Sequence, residues 1–373
     1  MYREITQKLI TLLGQPKSPI ILILGMRQVG KSTLAENIVK NNYVKFNFDL
    51  RSDIDEFINQ NRHDLSLFSE KYKDRIIIID EIQKSPEATS IIKHLYDNFS
   101  MKFILTGSSE IKIRKNLGDS LAGRVHEVKL YPLSIREINL QSNMNWNNNS
   151  EFVNYEENQK ILLRTLIYGS LPNLQNIDFK DYETYLNDYT NILISKDVLE
   201  LEGTRKSTKI YFLAKLLALQ IGQLVNFNEL ALNTELSRET VYRYIDTFEQ
   251  MGIIIRAKPI STNERESISK ATKIYFTDLG VRNSLIGNFN LLNQRLDKGQ
   301  ILENAVFVGI KRQDEYNNIN SSLGFFRSIS GSEIDIVRKN KNQENLYEVK
   351  VGSNRSRKNV DIINVENAQK YLY

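Results

Sequence analysis

Apolar residues in the first third of the chain fall in short unbroken runs separated by stretches of helical spacing. Ile20 to Leu24 and Ile76 to Ile79, the latter inside Arg75-Ile-Ile-Ile-Ile-Asp80, are continuous enough to predict strands buried on both faces. Tyr43 to Phe48 alternates and predicts a third strand, and Met101 to Thr106 and Val125 to Leu130 predict two more. Lys31 to Lys40 reads as a helix. Ser85-Pro86 predicts another helix start, with serine as N-cap and proline in the first turn, continuing through Ile91, Ile92 and Leu95. Strands that alternate with helices imply an α/β unit whose parallel sheet is covered on both faces.

Beyond Ser134 the spacing turns mostly helical. Leu162, Leu163, Leu166 and Ile167 mark one helix, stopped at Gly169-Ser-Leu-Pro172. Tyr182, Tyr185, Tyr189, Leu193 and Val198 mark another, and the Asn-rich piece Asn143 to Asn149 reads as a linker. From Phe227 the order is short helix, turn, and a second helix capped by Ser237 and ended by Gly252. A strand Ile253 to Arg256, a polar turn Ser261 to Ser269 and a strand Lys273 to Thr277 follow, which is the winged-helix order. The last stretch predicts a helix Gly299 to Arg312, strands Gly324 to Arg327, Glu333 to Arg338 and Leu346 to Val351, and a final helix Val360 to Tyr371. The expected domains are 1–138, 139–205, 206–290 and 291–373.

Composition narrows the chemistry. The 373 residues contain no cysteine, which excludes disulfides, zinc–cysteine sites, iron–sulfur clusters and thiol nucleophiles. The three histidines, His63, His94 and His126, are scattered, which argues against a histidine-rich metal site. No apolar run approaches the ~20 residues of a membrane helix, and no basic stretch leads into an apolar signal core, so a cytoplasmic location and no membrane partner are expected. The net charge of +5 is spread along the chain; it permits nucleic-acid binding without demanding it.

Gly25-Met-Arg-Gln-Val-Gly30-Lys31-Ser32 fits G-x-x-x-x-G-K-[ST] at every fixed position and lies between a strand and a helix. Glycines let consecutive backbone N–H groups of Gln28, Val29, Gly30, Lys31, Ser32 and Thr33 curl around an anion, at a helix end that carries partial positive charge. Lys31 would neutralise the β- and γ-phosphates and the Ser32 hydroxyl would ligate Mg²⁺. Asp80, ending a strand, can hold Mg²⁺ through water, and Glu81 can polarise the attacking water as general base. At Thr106-Gly-Ser-Ser109, Ser108 or Ser109 could orient that water or touch the γ-phosphate. Arg124 is a candidate to stabilise transition-state charge, acting in its own chain or on a neighbour, with Arg114 a rival.

Taken together, Gly25 to Leu34, Asp80-Glu-Ile-Gln83, Leu105 to Ser109, Leu121-Ala-Gly-Arg124 and Tyr131-Pro-Leu-Ser134 resemble the archaeal and bacterial AAA-type ATPases. The family resemblance implies ATP as nucleotide, Asp80 and Glu81 in the roles above, Arg124 as the finger, and a following winged helix and nuclease-like domain. A guanine-reading Asn-Lys-x-Asp stretch is not found, which favours adenine.

Two features further along carry their own chemistry. Asp335 and Glu348 lie on successive strands and could meet on one face of a hairpin, with Lys350 on the same side as Glu348 and Glu303 supplied by the preceding helix. Such a set can bind a second divalent ion and activate water against a phosphodiester. It resembles the PD-(D/E)XK nuclease pattern without the proline before the aspartate, and the chain ends where such folds commonly carry another strand, so a minimal or truncated domain is expected. The alternative is a solvated hairpin whose acids pair with its own lysines and arginines. On the second helix of the winged-helix segment, apolar spacing leaves Arg238 and Arg243 outward, where they could reach DNA. Glu235, Glu239, Asp246 and Glu249 lie alongside and oppose that. The leading functional expectation is a Mg²⁺-dependent ATPase acting on nucleic acid, with self-association through the ATPase domain or a protein partner in view. The alternative is an ATP-dependent signalling switch whose C-terminal module docks a partner without cutting.

Overall fold

The computed structural model describes residues 2–63, 65–108, 121–142, 151–198, 207–260, 272–328, 332–341, 343–352 and 360–372. Ser109, Arg114, the Asn-rich linker and the polar turn Ser261 to Ser269 lie outside the described residues. The chain divides into two compact units, Met1–Tyr131 and Pro132–Tyr373.

The first unit is a three-layer α/β structure. Helix α1 (Thr6–Leu13) precedes β1 (Ile20–Leu24), α2 (Lys31–Val39), β2 (Tyr43–Asn47), α3 (Arg51–His63), α4 (Leu65–Lys71), β3 (Ile76–Asp80), α5 (Ala88–Phe99), β4 (Phe103–Gly107) and β5 (Val125–Lys129). All five strands are parallel, in the order β2-β3-β4-β1-β5. Every residue of β1 and β4 is buried, which is why their sequences are apolar without alternation. Phe46, Phe57, Phe68 and Tyr72 fill the space under β2, with ring centroids of successive pairs 5.2, 5.8 and 4.7 Å apart. One expectation is corrected. Ser85 does not cap α5; a short 3₁₀ turn, Ile82–Lys84, follows Glu81, and the helix begins only at Ala88. The turn uses the Ser85 backbone N–H, which donates to the Ile82 carbonyl.

The second unit is helical at first: α6 (Ile135–Ser142), α7 (Glu151–Tyr168), α8 (Tyr182–Ile192), which continues into a π-turn over Leu193–Asp197, and α9 (Ser207–Leu219). Then come α10 (Phe227–Thr234), α11 (Arg238–Gln250) and the antiparallel pair β6 (Ile254–Ala257) and β7 (Lys273–Phe276). Ser237 caps α11 by accepting from the Thr240 N–H, as its place in the sequence leads one to expect. After α12 (Leu279–Ile286) and α13 (Lys298–Tyr316), a four-stranded sheet is built from β8 (Ser322–Arg327), β9 (Glu333–Lys339), β10 (Glu344–Val349) and β11 (Asp361–Ile363), in the order β11-β10-β9-β8.

β11 overturns the expected helix Val360 to Tyr371. Asp361, Ile362 and Ile363 pair in parallel with Tyr347, Glu348 and Val349, and only Gln369–Leu372 is helical (α14). Two adjacent isoleucines suit a pleated strand, and Asn364 and Asn367 then break the chain with side-chain bonds to each other's backbone.

Candidate functional site

The C-terminal ends of the parallel strands collect the candidate residues of the first unit. Strand register places Asn47 beside Asp80 on β2 and β3, Ile79 beside Leu105 on β3 and β4, and Ile23 beside Thr106 on β1 and β4. β4 therefore lies between the strand that feeds the phosphate loop and the strand that ends in Asp80, and Thr106 faces both. Gly25 has φ of +152°, and a Cβ there would sit 2.4 Å from the Leu130 carbonyl oxygen; no other residue fits this bend of the loop. Gly30, at φ +95°, opens α2. Gln28 is exposed in the left-handed region, Val29 is buried beneath the loop, and Thr33 is exposed on the first turn of α2.

The polar groups of the site converge. The Ser32 hydroxyl donates to Asp80 Oδ2 at 2.6 Å, and Thr106 Oγ1 donates to Asp80 Oδ1. Hydroxyl and carboxylate oxygens side by side are the donor set a hard divalent cation requires, so Ser32 and Asp80 fit Mg²⁺. Lys45, from β2, stands 3.8 Å from Asp80 Oδ2 and 2.7 Å from Glu36. Lys31 is 5% exposed, and its ammonium is 3.1 Å from the carbonyl oxygens of both Gly25 and Met26. Burial pushes its pKa down, Glu81 and Asp80 oppose that, and Arg27 adds to it. Such an ammonium, held among the described residues by carbonyls and no carboxylate, gains most from an incoming anion.

Glu81 has φ +55°, a costly backbone state for a residue with a Cβ. Its Oε2 accepts from the Ser108 hydroxyl at 3.0 Å, from the Ser108 N–H at 3.3 Å and from the Gln83 amide. Ser108 is thus tied to Glu81. Arg124 is not brought to the site. It precedes β5, whose first residue pairs with Ile20, whereas the phosphate loop follows Leu24 at the other end of β1. That separation is about 16 Å at ~3.3 Å per residue. Its guanidinium binds Asp97 in two places, at 2.7 and 2.8 Å.

In the second unit the hairpin forms with Tyr347 opposite Ile336, and the Val349 N–H donates to Asp335 Oδ2 at 2.8 Å. Asp335 raises the pKa of Glu303 and Glu348 raises that of Asp335, so the three acids lie near one another, Glu303 and Glu348 buried and Asp335 half-buried. A residue the sequence reading passed over sits among them. Lys273 of β7 is 2% exposed, and its ammonium lies 3.1 Å from Glu303 and 2.6 Å from Glu333. Tyr275 donates to Glu303 at 2.7 Å, and Lys350 pairs with Glu348 at 2.8 Å. Burial drives the Glu303 pKa up to about 7, with Lys273 opposing and Asp335 adding to the rise. Among the described residues no group of three or more His, Asp or Glu is disposed to hold a metal ion.

On α11, Arg238 and Arg243 are exposed, as apolar spacing requires. The neighbouring acids are largely spoken for. Arg256 binds Asp246 at 2.6 Å and Glu249 at 2.5 Å, and Lys209 binds Glu235 at 2.9 Å.

With this geometry in hand, residues 17–139 match the family model described as AAA domain. That match falls mostly on the first unit, which is similar to an AAA domain. Residues 159–292 and 298–371 match two domains of unknown function, DUF8612 and DUF4143. An uncharacterized protein of Haemophilus influenzae is 26% identical over 349 residues, covering 88% of this chain and 81% of its own length. An uncharacterized protein of Methanocaldococcus jannaschii is 26% identical over 380 residues, covering 99% and 82%. Among solved structures, the ADP form of the Aeropyrum pernix ORC2 protein aligns at TM-score 0.37 and 13% identity over 76% of this chain and 93% of that one. AMPPCP-bound DnaA from Aquifex aeolicus aligns at 0.28 and 15% over 66% and 86%. Among the described residues no helix is long and apolar enough to cross a membrane.

Thr106, Gln83 and Lys45 escaped the sequence reading of the first site, as Lys273, Tyr275 and Glu333 escaped that of the second. Thr106 had one available signal: it lies two residues before Ser108, at the end of the same predicted strand.

Proposed function

We propose that this protein binds and hydrolyses ATP with Mg²⁺ and couples nucleotide state to its C-terminal modules, acting on nucleic acid. The observation that carries the reading is the convergence of the Ser32 hydroxyl on Asp80 at 2.6 Å beside a buried Lys31 held only by backbone carbonyls among the described residues. The loop N–H groups and Lys31 bind the triphosphate, and Ser32 and Asp80 would hold Mg²⁺, which supplies charge neutralisation at the β- and γ-oxygens. Glu81 takes a proton from water as the water oxygen bonds to the γ-phosphorus and the bond to the β–γ bridging oxygen breaks, releasing ADP. Arg124, remote from its own chain's loop, serves in trans, on a second copy associated through the ATPase domain.

Nucleic acid as the target draws support from α11, read as the recognition helix of a winged helix. Three of the four acids that oppose phosphate there are paired with Arg256 or Lys209, while Arg238 and Arg243 face solvent. A second reading, an ATP-dependent switch that docks a protein partner, is favoured by the nuclease-like hairpin: Lys273 pairs with Glu303 and Lys350 with Glu348, two of the three carboxylates a metal would need. The deciding experiment measures ATP turnover with and without single- and double-stranded DNA, and plasmid integrity with Mg²⁺ or Mn²⁺, for the native chain and Asp335→Ala. Stimulation by DNA supports the first reading. Cleavage lost in the variant adds nuclease activity to it. Neither stimulation nor cleavage leaves the switch.

A further inference from the structure

Gln83 follows the proposed base by two residues and lies in the 3₁₀ turn Ile82–Lys84, 7% exposed. Its Nε2 donates to Glu81 Oε2 and, at 3.3 Å, to Ser108 Oγ. Only the NH₂ end of an amide can face a carboxylate, so Glu81 fixes the orientation of the whole group. Its carbonyl end, Oε1, is buried and has no hydrogen-bond partner among the described residues. Unmet buried acceptors are uncommon and are concentrated where a water or ligand is expected.

The donors on Glu81 are equally one-sided. Gln83 Nε2, Ser108 N–H and Ser108 Oγ all converge on Oε2, and Oε1 receives no hydrogen bond among the described residues. One oxygen is anchored; the other is left to accept. We propose that Gln83 is the positioning residue of the catalytic base: with Ser108 it pins Glu81 Oε2, so that Oε1 faces the attacking water, whose second O–H meets the Gln83 carbonyl. The proposal rests on the ATP-hydrolysing reading of the site. In the step, the proton leaves water for Glu81 Oε1 as the water oxygen bonds to the γ-phosphorus and the bond from that phosphorus to the β–γ bridging oxygen breaks, releasing ADP and phosphate, while Gln83 gains and loses no proton.

The alternative role for a buried glutamine is to brace the turn after β3, and kinetics separate the two. The full-length chain is compared with Gln83→Met, which keeps bulk and removes both amide ends, and with Gln83→Glu, which keeps shape and sets a second carboxylate against the first. Each is assayed for labelled ATP–Mg²⁺ binding, for steady-state hydrolysis against pH, and for thermal unfolding. Positioning predicts a fall in kcat of about 100-fold in both variants, with KM and labelled-ATP affinity within about twofold of native. A variant that folds, binds ATP and turns over at the native rate or faster overturns the proposal and leaves the ATPase reading intact, as does lost turnover explained wholly by lost folding in both. If the native chain itself fails to bind labelled ATP, the ATPase reading falls and the role of Gln83 falls with it.

Discussion

Lys31 and Lys273 are both almost completely buried, yet they answer burial in opposite ways. The Lys31 ammonium rests on two backbone carbonyls and its pKa is pushed down; that of Lys273 lies between two carboxylates, which outweigh burial and raise its pKa. Around Lys31 the loop bends at Gly25, Gln28 and Gly30, all at positive φ, just beyond the end of β1. Around Lys273, Tyr275, Glu303 and Glu333 complete one another. A buried cation that, among the described residues, touches carbonyls rather than carboxylates is arranged to meet an anion from outside, whereas a cation in contact with two carboxylates has become part of the core. Residue types alone do not separate a binding site from a structural cluster; the counter-charge does.

The largest effects should fall on function at Lys31 and on folding at Lys273. Lys31→Ala is expected to lower affinity for ATP–Mg²⁺ by at least about 100-fold while the melting temperature stays near native, because only a pair of carbonyl contacts is lost. Lys273→Met is expected to do the reverse, since it strands Glu303 and Glu333 without their cation: a loss of about 3–5 kcal/mol in chemical denaturation, with labelled ATP still bound where the chain is folded. Equal stability losses in the two variants would erase the contrast. Next in size, Glu81→Gln should bind ATP as the native chain does and hydrolyse it about 10²–10⁴-fold more slowly, measured by phosphate release. Native turnover in that variant would remove Glu81 from the mechanism.

The smallest effect is a pH dependence peculiar to the second cluster. Glu303 has its pKa raised from 4.5 to about 7 by burial. Between those values the folded state holds a proton that the unfolded chain has released, so stability falls as pH rises through that window and levels off above it. Asp278, raised by burial to about 6, acts in the same direction over a lower window. Denaturation midpoints should therefore drop between pH 5 and pH 7.5, by about 1–3 kcal/mol in all, and the drop should shrink in Glu303→Gln. An unchanged slope in that variant would show that Glu303 is not the titrating group.

The same contrast explains what could be read from the sequence. The phosphate loop is contiguous, so its eight positions announce both the strand before it and the helix after it. Strands β1, β3 and β4 were legible because apolar runs in a covered parallel sheet have almost no solvent-facing positions to interrupt them, and β2 because it alternates. Thr106 and Gln83 were hidden because their roles depend on β4 lying beside β3, and Lys45 because its role depends on β2 lying on the other side of β3, arrangements no local pattern encodes. Arg124 reads as a candidate finger by motif, and only the register of β5 on β1 shows it at the far end of the sheet. Asp335 opposite Glu348 followed from hairpin alternation, but Lys273 comes from a ribbon some sixty residues earlier than the hairpin. The failed terminal helix has a similar origin: Asp361 to Ile363 become a strand because β10 offers them an edge.

The most direct test of the account is a titration of the native chain and of Lys31→Ala with labelled ATP in the presence of Mg²⁺. The account predicts saturable binding at one nucleotide per chain by the native protein and its loss in the folded variant. No saturable binding by the folded native chain, or equal binding by both, would contradict it.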